Sequence, residues 1–323
     1  MPYNSQTRNV KLSVVIPLYN EEKSLEELYK RITIALQPLS ENYQLIFIDD
    51  GSTDNSFTIL RDLHKKDTRV KALCFRKNFG KAAALSAGFK EAQGDVIITL
   101  DADLQDLPEE IPNLIKKLDE GYDLISGWKI KRQDPLRRKI ASRLFNLVSS
   151  FFTGVRIHDF NCGLKCYRRE VIEEIELYGE LHRYIPVLAS WKGFKVGEIK
   201  VSHHPRIHGK SKYGGERYLR GFFDLLTVIM LTKYPQKPLH FFGFIGTLLS
   251  IAGIAINIYM AVLRFSGKWI ANRPLLLLGI LLLILGIQFI FFGLMGELIV
   301  FSSPKSAFYL VKEKLDSNQS LST

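Results

Sequence analysis

The protein has 323 residues, 46% of them hydrophobic, and a formal net charge of +11. This charge is typical of proteins that bind nucleic acid, anionic lipid or phosphorylated ligands, and by itself it does not choose among them. The three cysteines, Cys74, Cys162 and Cys166, are too few and too scattered for a disulfide framework, which excludes a small disulfide-stabilised domain. Cys162 and Cys166 lack the further ligands of a zinc site, so packing roles are favoured.

The N-terminal part of the chain alternates predicted strands and helices. Apolar runs predict strands that begin near Ser13, Leu45, Lys71, Val96 and Leu124. Between them, helices are predicted at Leu25–Leu36, Ser56–Lys66, Lys81–Ala92 and Pro108–Leu118, with a further helix at Ile140–Phe152. This alternation predicts an α/β fold with a doubly wound, mostly parallel sheet.

Polar or acidic loops follow three of these strands. Asp101 and Asp103 come directly after one apolar run, Asp49 and Asp50 end another, and residues 19–22 follow the first. Ligands of open α/β sheets bind at the carboxyl ends of the strands, and Mg²⁺ is typically held there by one or two carboxylates and the substrate's phosphates. A chance Asp-x-Asp pattern and a helix cap remain the structural alternatives.

Two long apolar segments, Leu239–Leu263 and Pro274–Gly296, contain no Lys, Arg, Asp or Glu. Each exceeds the roughly 20 residues that cross the hydrocarbon core of a bilayer. A pair of buried helices in a soluble core is the alternative, but the second segment is apolar on every face and lacks an amphipathic stripe. Small residues that allow close helix contact or self-association recur in both segments: Gly243, Gly246, Gly253, Gly279, Gly286 and Gly293.

The orientation of this hairpin follows from charge and from the N-terminal domain. Lysines flank the hairpin on one side, whereas Arg264, Lys268 and Arg273 lie in its turn, so the positive-inside rule favours cytoplasmic ends only mildly. Residues 1–13 contain no apolar signal-peptide core. We therefore expect a multi-pass protein of the inner (plasma) membrane whose N-terminal domain is cytoplasmic.

Two basic clusters, residues 129–139 and 203–213, account for much of the excess positive charge. Basic clusters beside membrane spans often do no more than bind anionic lipid, at about 1 kcal/mol per charge near the surface. Residues 216–237 follow the second cluster and predict an amphipathic helix in the membrane interface. An ordinary domain helix is the alternative.

Several motifs then resemble one family. Residues 14–22, 48–54 and 101–106 resemble the family 2 inverting glycosyltransferases, which have the Rossmann-like GT-A fold. Residues 161–165 and 208–213, followed by two spans, resemble the polyisoprenyl-phosphate branch, which includes dolichol-phosphate mannose synthases and bactoprenol glucosyltransferases of the GtrB type. The resemblance implies a GT-A domain at 1–215, an interfacial helix at 216–237, a transmembrane hairpin at 238–302 and a cytoplasmic tail at 303–323.

The same resemblance implies roles for individual residues. The nucleotide would be bound by Pro17, Tyr19, Glu21, Asp50 and Asp101, and a Mg²⁺ or Mn²⁺ ion by Asp101, Asp103 and Gln105. The phosphate of the lipid acceptor would be bound by Lys129, Arg132, Arg138, Ser142, Arg206 and Lys212. The family often has arginine at the position of Lys129, and lysine keeps the charge but loses the bidentate fork.

The implied chemistry explains these residue types. A departing diphosphate needs its growing negative charge stabilised by a metal ion or fixed cations. The acceptor is a phosphate monoester, mostly dianionic at neutral pH, which attacks without a general base. Asp103 and Asp159 are the catalytic candidates; for Asp159, proton transfer and positioning both stay open. His204 and His208 are interpreted as loop structure.

The first functional hypothesis is transfer of a hexose, with glucose from UDP-glucose as the leading donor, to undecaprenyl phosphate. Mannose, N-acetylglucosamine and amino-arabinose donors share these motifs. A processive polysaccharide synthase would carry a Gln-x-x-Arg-Trp segment and more spans, and the sequence has neither. An inactive scaffold that recruits a flippase would not need the paired carboxylates. The expected partners are a nucleotide sugar, polyprenyl phosphate, the bilayer and a second copy of the chain, but no nucleic acid polymer.

Overall fold

This computed structural model describes residues 11–39, 42–130, 136–177, 179, 181–204, 217–234, 237–269 and 273–302. The chain divides into two compact units, Met1–Val228 and Ile229–Thr323.

The first unit is built on a seven-stranded sheet whose spatial order is β3-β2-β1-β4-β6-β5-β7. The strands are β1 (Leu12–Leu18), β2 (Tyr43–Asp49), β3 (Val70–Cys74), β4 (Val96–Thr99), β5 (Leu124–Lys129), β6 (Lys165–Arg168) and β7 (Val196–Val201). Only β6 runs antiparallel to its neighbours, β4 and β5. The predicted mostly parallel α/β sheet is therefore confirmed.

Helices cover both faces of this sheet. They are α1 (Leu25–Leu36), α2 (Ser56–Lys66), α3 (Lys81–Glu91), α4 (Ile111–Leu118), α6 (Arg169–Glu174) and α7 (Ile185–Trp191). Two further helices of the chain are α5 (Leu136–Thr153) and α8 (Arg217–Lys233). Alternate side chains of the strands enter two separate cores, because successive residues of a strand point to opposite faces. Val14 belongs to the core that contains residues of α1, α2 and α4, whereas Val15 belongs to the core that contains residues of α3, α6 and α7.

Most of the predicted helices agree closely with the observed ones, whereas α5 begins at Leu136, four residues before the predicted Ile140. α1 and α2 have the predicted bounds, α3 ends at Glu91, and the segment predicted from Pro108 begins with a 3₁₀ turn, Pro108–Glu110, before α4. The prediction did not include β6, β7, α6 or α7. These elements are four to seven residues long, too short for a hydrophobic period to be read with certainty.

The second unit contains two long helices, α9 (Pro238–Phe265) and α10 (Pro274–Ser302). Both are long and apolar enough to cross a membrane. Their glycines lie between them: a Cβ atom on Gly246 would lie 2.6 Å from the carbonyl oxygen of Gly286, and one on Gly253 would lie 2.7 Å from that of Gly279. These glycines therefore allow close backbone contact within one hairpin.

Glu297 lies near the end of α10, and its Oε2 accepts a hydrogen bond of 3.3 Å from the backbone N–H of Leu239. Because the first N–H groups of a helix lack partners inside the helix, this carboxylate caps the start of α9. A glutamate in an otherwise apolar helix thus has a structural partner.

Candidate active site

The loops that follow β1, β2 and β4 meet at one edge of the sheet, called here the carboxyl edge. β1 is paired in parallel with both β2 and β4, so the loops that follow all three strands leave the sheet at the same edge. The first two loops are bonded together: the backbone N–H of Asn20 donates to Ser52 Oγ at 2.8 Å, and that of Thr53 donates to Asn20 Oδ1 at 2.7 Å. The sequence-predicted nucleotide residues Pro17, Tyr19 and Glu21 are half-buried along this seam.

Asp50, also predicted to bind the nucleotide, orders the loop that follows β3. Its two carboxylate oxygens accept hydrogen bonds from the backbone N–H groups of Phe79, at 2.7 Å, and Gly80, at 2.9 Å. Burial raises the pKa of Asp50, and these two hydrogen bonds oppose that rise. These hydrogen bonds hold the two residues directly before α3, which begins at Lys81.

Lys81 is a site residue that the sequence analysis missed. Its Nζ lies 2.5 Å from Oδ1 of Asp101, and both side chains remain partly accessible. Burial alone would raise the pKa of Asp101, but the ammonium of Lys81, with Lys129 and Lys165 further away, lowers it to about 2. Asp101 is therefore ionised throughout the physiological range. The available signal was the Gly-Lys pair after β3, at the same edge as the acidic loops.

Gly163 makes room for the carboxylate of Asp101. Thr99 pairs with Lys165 across the antiparallel β4 and β6, and continuing that register places Gly163 opposite Asp101. A Cβ atom on Gly163 would lie 2.5 Å from Cγ of Asp101. The glycine of the 161–165 motif is thus explained by the close approach of this acidic side chain.

Asp103 and Gln105 lie on the half-buried turn that follows. The backbone N–H of Gln105 donates to Asp103 Oδ1 at 3.2 Å. Leu104, between them, has a φ of +59°, a left-handed conformation that is unusual for a branched side chain and is retained only where the surroundings enforce it. Leu104 is fully buried, which supplies that constraint and holds the two polar neighbours at the carboxyl edge.

Lys129, predicted to bind the acceptor phosphate, is bonded to a protein carboxylate. Its Nζ lies 2.6 Å from Oδ1 of Asp106, which is fully buried. Burial by itself would lower the pKa of Lys129, but Asp106 raises it above the ordinary value. The two side chains form a buried ion pair beneath the 101–106 loop.

Two further ionisable residues, Lys165 and His182, lie close enough to Asp101 to interact with its charge. Lys165, on β6, is buried, and its Nζ donates to the carbonyl oxygen of Cys162. Burial lowers the pKa of Lys165. The pKa of His182 is well below its ordinary value because of burial and the positive charges of Lys81, Arg183 and Lys165, so its imidazole is neutral at neutral pH. Neither Lys165 nor His182 was predicted from the sequence to be part of the site.

Asp159, the second catalytic candidate, is buried on the loop before β6, and its Oδ1 accepts a 3.0 Å hydrogen bond from the N–H of Asn161. The preceding residue, His158, is fixed on three sides. Its ring stacks on Trp128 with centroids 4.0 Å apart, Nδ1 lies 2.5 Å from Glu198 Oε1, and its carbonyl accepts from Asn146. These contacts position the loop that carries Asp159.

The remaining acceptor-phosphate candidates are only partly described. Arg132, Arg206 and Lys212 lie outside the described residues, as does the side chain of Arg138; Ser142 is half-buried on α5. The second basic cluster begins beside the acidic loop, since the backbone N–H of His204 donates to the carbonyl of Gln105 at 3.1 Å.

In the part of the chain that the structure describes, no three His, Cys, Asp or Glu side chains are grouped as a metal site. A divalent ion held by one or two carboxylates and a diphosphate does not need such a group. Asp101, ionised and partly accessible, and the neighbouring Asp103 are therefore chemically suited to that kind of ion.

The family model for glycosyl transferase family 2 matches residues 13–176, which span β1 to α6. This chain belongs to glycosyltransferase family 2. Within the family, it is 36% identical over 322 residues to dodecaprenyl-phosphate galacturonate synthase from Rhizobium johnstonii, covering 97% of this chain and 95% of that protein. It is 39% identical over 289 residues to undecaprenyl-phosphate 4-deoxy-4-formamido-L-arabinose transferase from Pseudomonas aeruginosa, covering 88% and 84%.

The fold of this glycosyltransferase is also similar to that of solved structures. Glucosyl-3-phosphoglycerate synthase from Mycobacterium tuberculosis, solved with phosphoglyceric acid, superposes with a TM-score of 0.54 at 20% identity, covering 68% of this chain and 80% of that one. A complex of the same synthase with Mn²⁺, UDP-glucose and phosphoglyceric acid gives 0.53 at 18% identity, with the same coverage. At this identity the likeness shows the GT-A fold alone. The resemblance to GT-A polyprenyl-phosphate glycosyltransferases is confirmed by the fold and the relatives together.

Proposed function

We propose that this glycosyltransferase moves a sugar from a nucleoside diphosphate to a polyprenyl phosphate at the membrane surface. The observation that carries the proposal is the alignment with two polyprenyl-phosphate sugar transferases, which extends over at least 84% of each relative. The two helices that could cross a membrane support a lipid acceptor, because a polyprenyl chain stays in the bilayer.

For the donor, we propose a modified sugar rather than glucose. The two relatives are named for galacturonate and for 4-deoxy-4-formamido-L-arabinose. The expectation of glucose from UDP-glucose is not confirmed, and the alternative of another sugar agrees better with these names. Glucose is part of the name of glucosyl-3-phosphoglycerate synthase, whose identity to this chain is 20% or lower.

The proposed reaction breaks the bond between the sugar's anomeric carbon and the diphosphate and forms one between that carbon and an oxygen of the acceptor phosphate. Asp101 and Asp103 would hold a Mg²⁺ or Mn²⁺ ion, which supplies positive charge to the leaving diphosphate. Lys81, whose ammonium lies beside Asp101, is a second cation available to that diphosphate.

The acceptor needs no proton removed, because a phosphate monoester is largely dianionic at neutral pH. We therefore assign Asp159 a positioning role at the carboxyl edge, supported by its burial and its hydrogen bond to the N–H of Asn161. The acceptor phosphate would be bound by the basic clusters that include Arg132, Arg206 and Lys212.

We place the first unit, which carries the carboxyl edge, on the cytoplasmic side of the inner membrane, because nucleotide sugars are made in the cytoplasm.

The test uses the purified full-length protein with undecaprenyl or dodecaprenyl phosphate, Mg²⁺ or Mn²⁺, and a panel of donors. The panel contains UDP-galacturonate, UDP-4-deoxy-4-formamido-L-arabinose, UDP-glucose, UDP-N-acetylglucosamine and GDP-mannose. A lipid-linked monosaccharide from either of the first two donors is expected. Glucose as the best donor would overturn the donor assignment, and a long polymer or free sugar alone would overturn the reaction.

A pair of matched variants connects this activity to the site. Asp103→Asn is expected to abolish turnover and to leave the melting temperature unchanged, because its side chain is half-buried and its amide oxygen still accepts the Gln105 hydrogen bond. Asp62→Asn removes an exposed carboxylate from α2, far along the chain from the acidic loop, and is expected to retain full activity.

A further inference from the structure

His158 is an exposed residue that is held by three separate elements of the first unit. Its ring stacks on Trp128 of β5, with an interplanar angle of 12°. Its Nδ1 and its backbone N–H both lie within hydrogen-bonding distance of the carboxylate of Glu198 on β7, at 2.5 and 2.8 Å. Its carbonyl oxygen accepts a 2.7 Å hydrogen bond from Asn146 on α5. These four residues, called here the His158 clamp, therefore fix the ring and both backbone polar groups of His158.

The register of the sheet explains how Glu198 reaches His158. β5 and β7 are parallel, and Ser126 is opposite Glu198 while Trp128 is opposite Lys200. Alternate residues of a strand share a face, so Trp128 and Glu198 lie on one face of the sheet and Lys129 lies on the other. The side chain of Glu198 is only 19% exposed. A shielded carboxylate that accepts two hydrogen bonds constrains its partners more than an exposed ion pair does.

The elements of the clamp continue into the segments to which we assign the acceptor phosphate. β5 ends at Lys129, the first residue of the first basic cluster, and β7 ends two residues before the second basic cluster. On α5, Asn146 follows Ser142 by four residues, so the two side chains share one face of the helix. The residue held by the clamp directly precedes the buried Asp159. The clamp thus joins the acceptor segments to one another.

We propose that the His158 clamp is the positioning device for the lipid acceptor, in which Glu198, by holding His158, sets the placement of Asp159 relative to the two basic clusters. Glu198 and His158 act through these neighbours as positioning residues. A role in stability alone would not explain the clamp, since a side chain that is 61% exposed contributes little to the stability of a fold. The inference rests on the proposed lipid acceptor and not on the identity of the sugar.

The first test compares two substitutions of Glu198. Glu198→Val removes both hydrogen bonds and keeps a residue suited to a strand. It should raise the KM for undecaprenyl phosphate about tenfold and leave the KM for the nucleotide sugar within about twofold. Glu198→Gln should behave like the native protein, because its carbonyl oxygen accepts from the N–H of His158 and its amide donates to Nδ1 of the other imidazole tautomer.

A second variant weakens the clamp from another element. Asn146→Leu removes the hydrogen bond from α5, keeps a good helix former and should raise the same KM. Because both substitutions act through His158, the effect of Glu198→Val with Asn146→Leu should be smaller than the product of the two single effects. Glu174→Val is the matched control: it removes a carboxylate that pairs with Lys192 at 3.0 Å, and should leave both KM values unchanged.

Initial rates give the two KM values, and microscale thermophoresis of the full-length protein with undecaprenyl phosphate in detergent micelles gives a Kd without any nucleotide sugar. A fall in kcat with both KM values unchanged would show a merely structural role and overturn the proposal. So would an unchanged Kd in Glu198→Val, or a Glu198→Gln variant as defective as Glu198→Val.

The two readouts separate this proposal from the proposed function. Native KM values in Glu198→Val, with normal sugar transfer, would remove the role of the clamp and leave the proposed function intact. Weaker lipid binding by Glu198→Val, in a protein that transfers none of the sugars tested, would support the clamp and remove the proposed function.

Discussion

Lys81 and Asp101 are twenty residues apart in sequence, yet their Nζ and Oδ1 atoms lie 2.5 Å apart at the carboxyl edge. In this arrangement the ammonium occupies one oxygen of the carboxylate to which we assign a divalent ion. Ammonium and metal ion therefore compete for the same oxygen, and a bound diphosphate offers the ammonium another anionic partner.

This competition predicts the behaviour of Lys81→Met. Removing the ammonium frees Asp101, so Mn²⁺ should bind the nucleotide-free protein about tenfold more tightly, while turnover falls because the leaving diphosphate loses a cation. Manganese titration followed by electron paramagnetic resonance measures the affinity. Lys81→Arg keeps the charge and should resemble the native protein. Weaker Mn²⁺ binding by Lys81→Met would contradict the competition.

Gly163→Ala is expected to displace the carboxylate of Asp101, because the new Cβ would lie 2.5 Å from its Cγ. Turnover and Mn²⁺ affinity should both fall at least about tenfold, since a shift of about 1 Å in a positioned group is that costly. Gly243→Ala is the control: its Cβ would lie in ordinary contact, 3.5 Å from Leu239 Cδ1. Equal activity of the two variants would show that the close approach at Gly163 is unimportant.

Two roles are open for Lys129, neutralising the buried Asp106 and binding the acceptor phosphate, and one substitution distinguishes them. If its function is to neutralise the buried Asp106, Lys129→Met should lower the free energy of unfolding by about 3–5 kcal/mol, and Asp106→Asn in the same chain should restore part of the loss. Chemical denaturation measures both. If Lys129 instead binds the acceptor phosphate, as the sequence predicted, Lys129→Met would raise the KM for polyprenyl phosphate and leave stability unchanged.

The lowered pKa of His182 leads us to expect that the folded protein loses stability in acid. Its pKa in the folded state is well below the ordinary 6.5, so below pH 6.5 the unfolded chain binds a proton that the folded protein does not. Stability is therefore fully present above pH 6.5 and falls as the pH decreases, by at most about 1.4 kcal/mol per unit. Between pH 7 and pH 5, the melting temperature of His182→Gln should fall by less than that of the native protein. An identical decrease in both would exclude His182 as the cause.

Several elements could be predicted because their signals are local. α1 and α2 have the predicted bounds since their apolar residues recur with the helical period, and the two long helices follow from uninterrupted apolar segments. The acidic residues at 101 and 103 could be placed at the carboxyl edge because they directly follow a strand. β6 could not be predicted as an antiparallel strand between β4 and β5, since strand order depends on long-range pairing.

The sequence alone determined the fold class, the order of the acidic and basic loops and the two apolar helices, because hydrophobic period and motif spacing are properties of neighbouring residues. The tertiary structure alone decided the partners: Lys81 beside Asp101, Lys129 on Asp106 and Gly163 beneath a carboxylate. Each of these depends on how strands cross and helices pack, which brings distant residues within contact distance of one another.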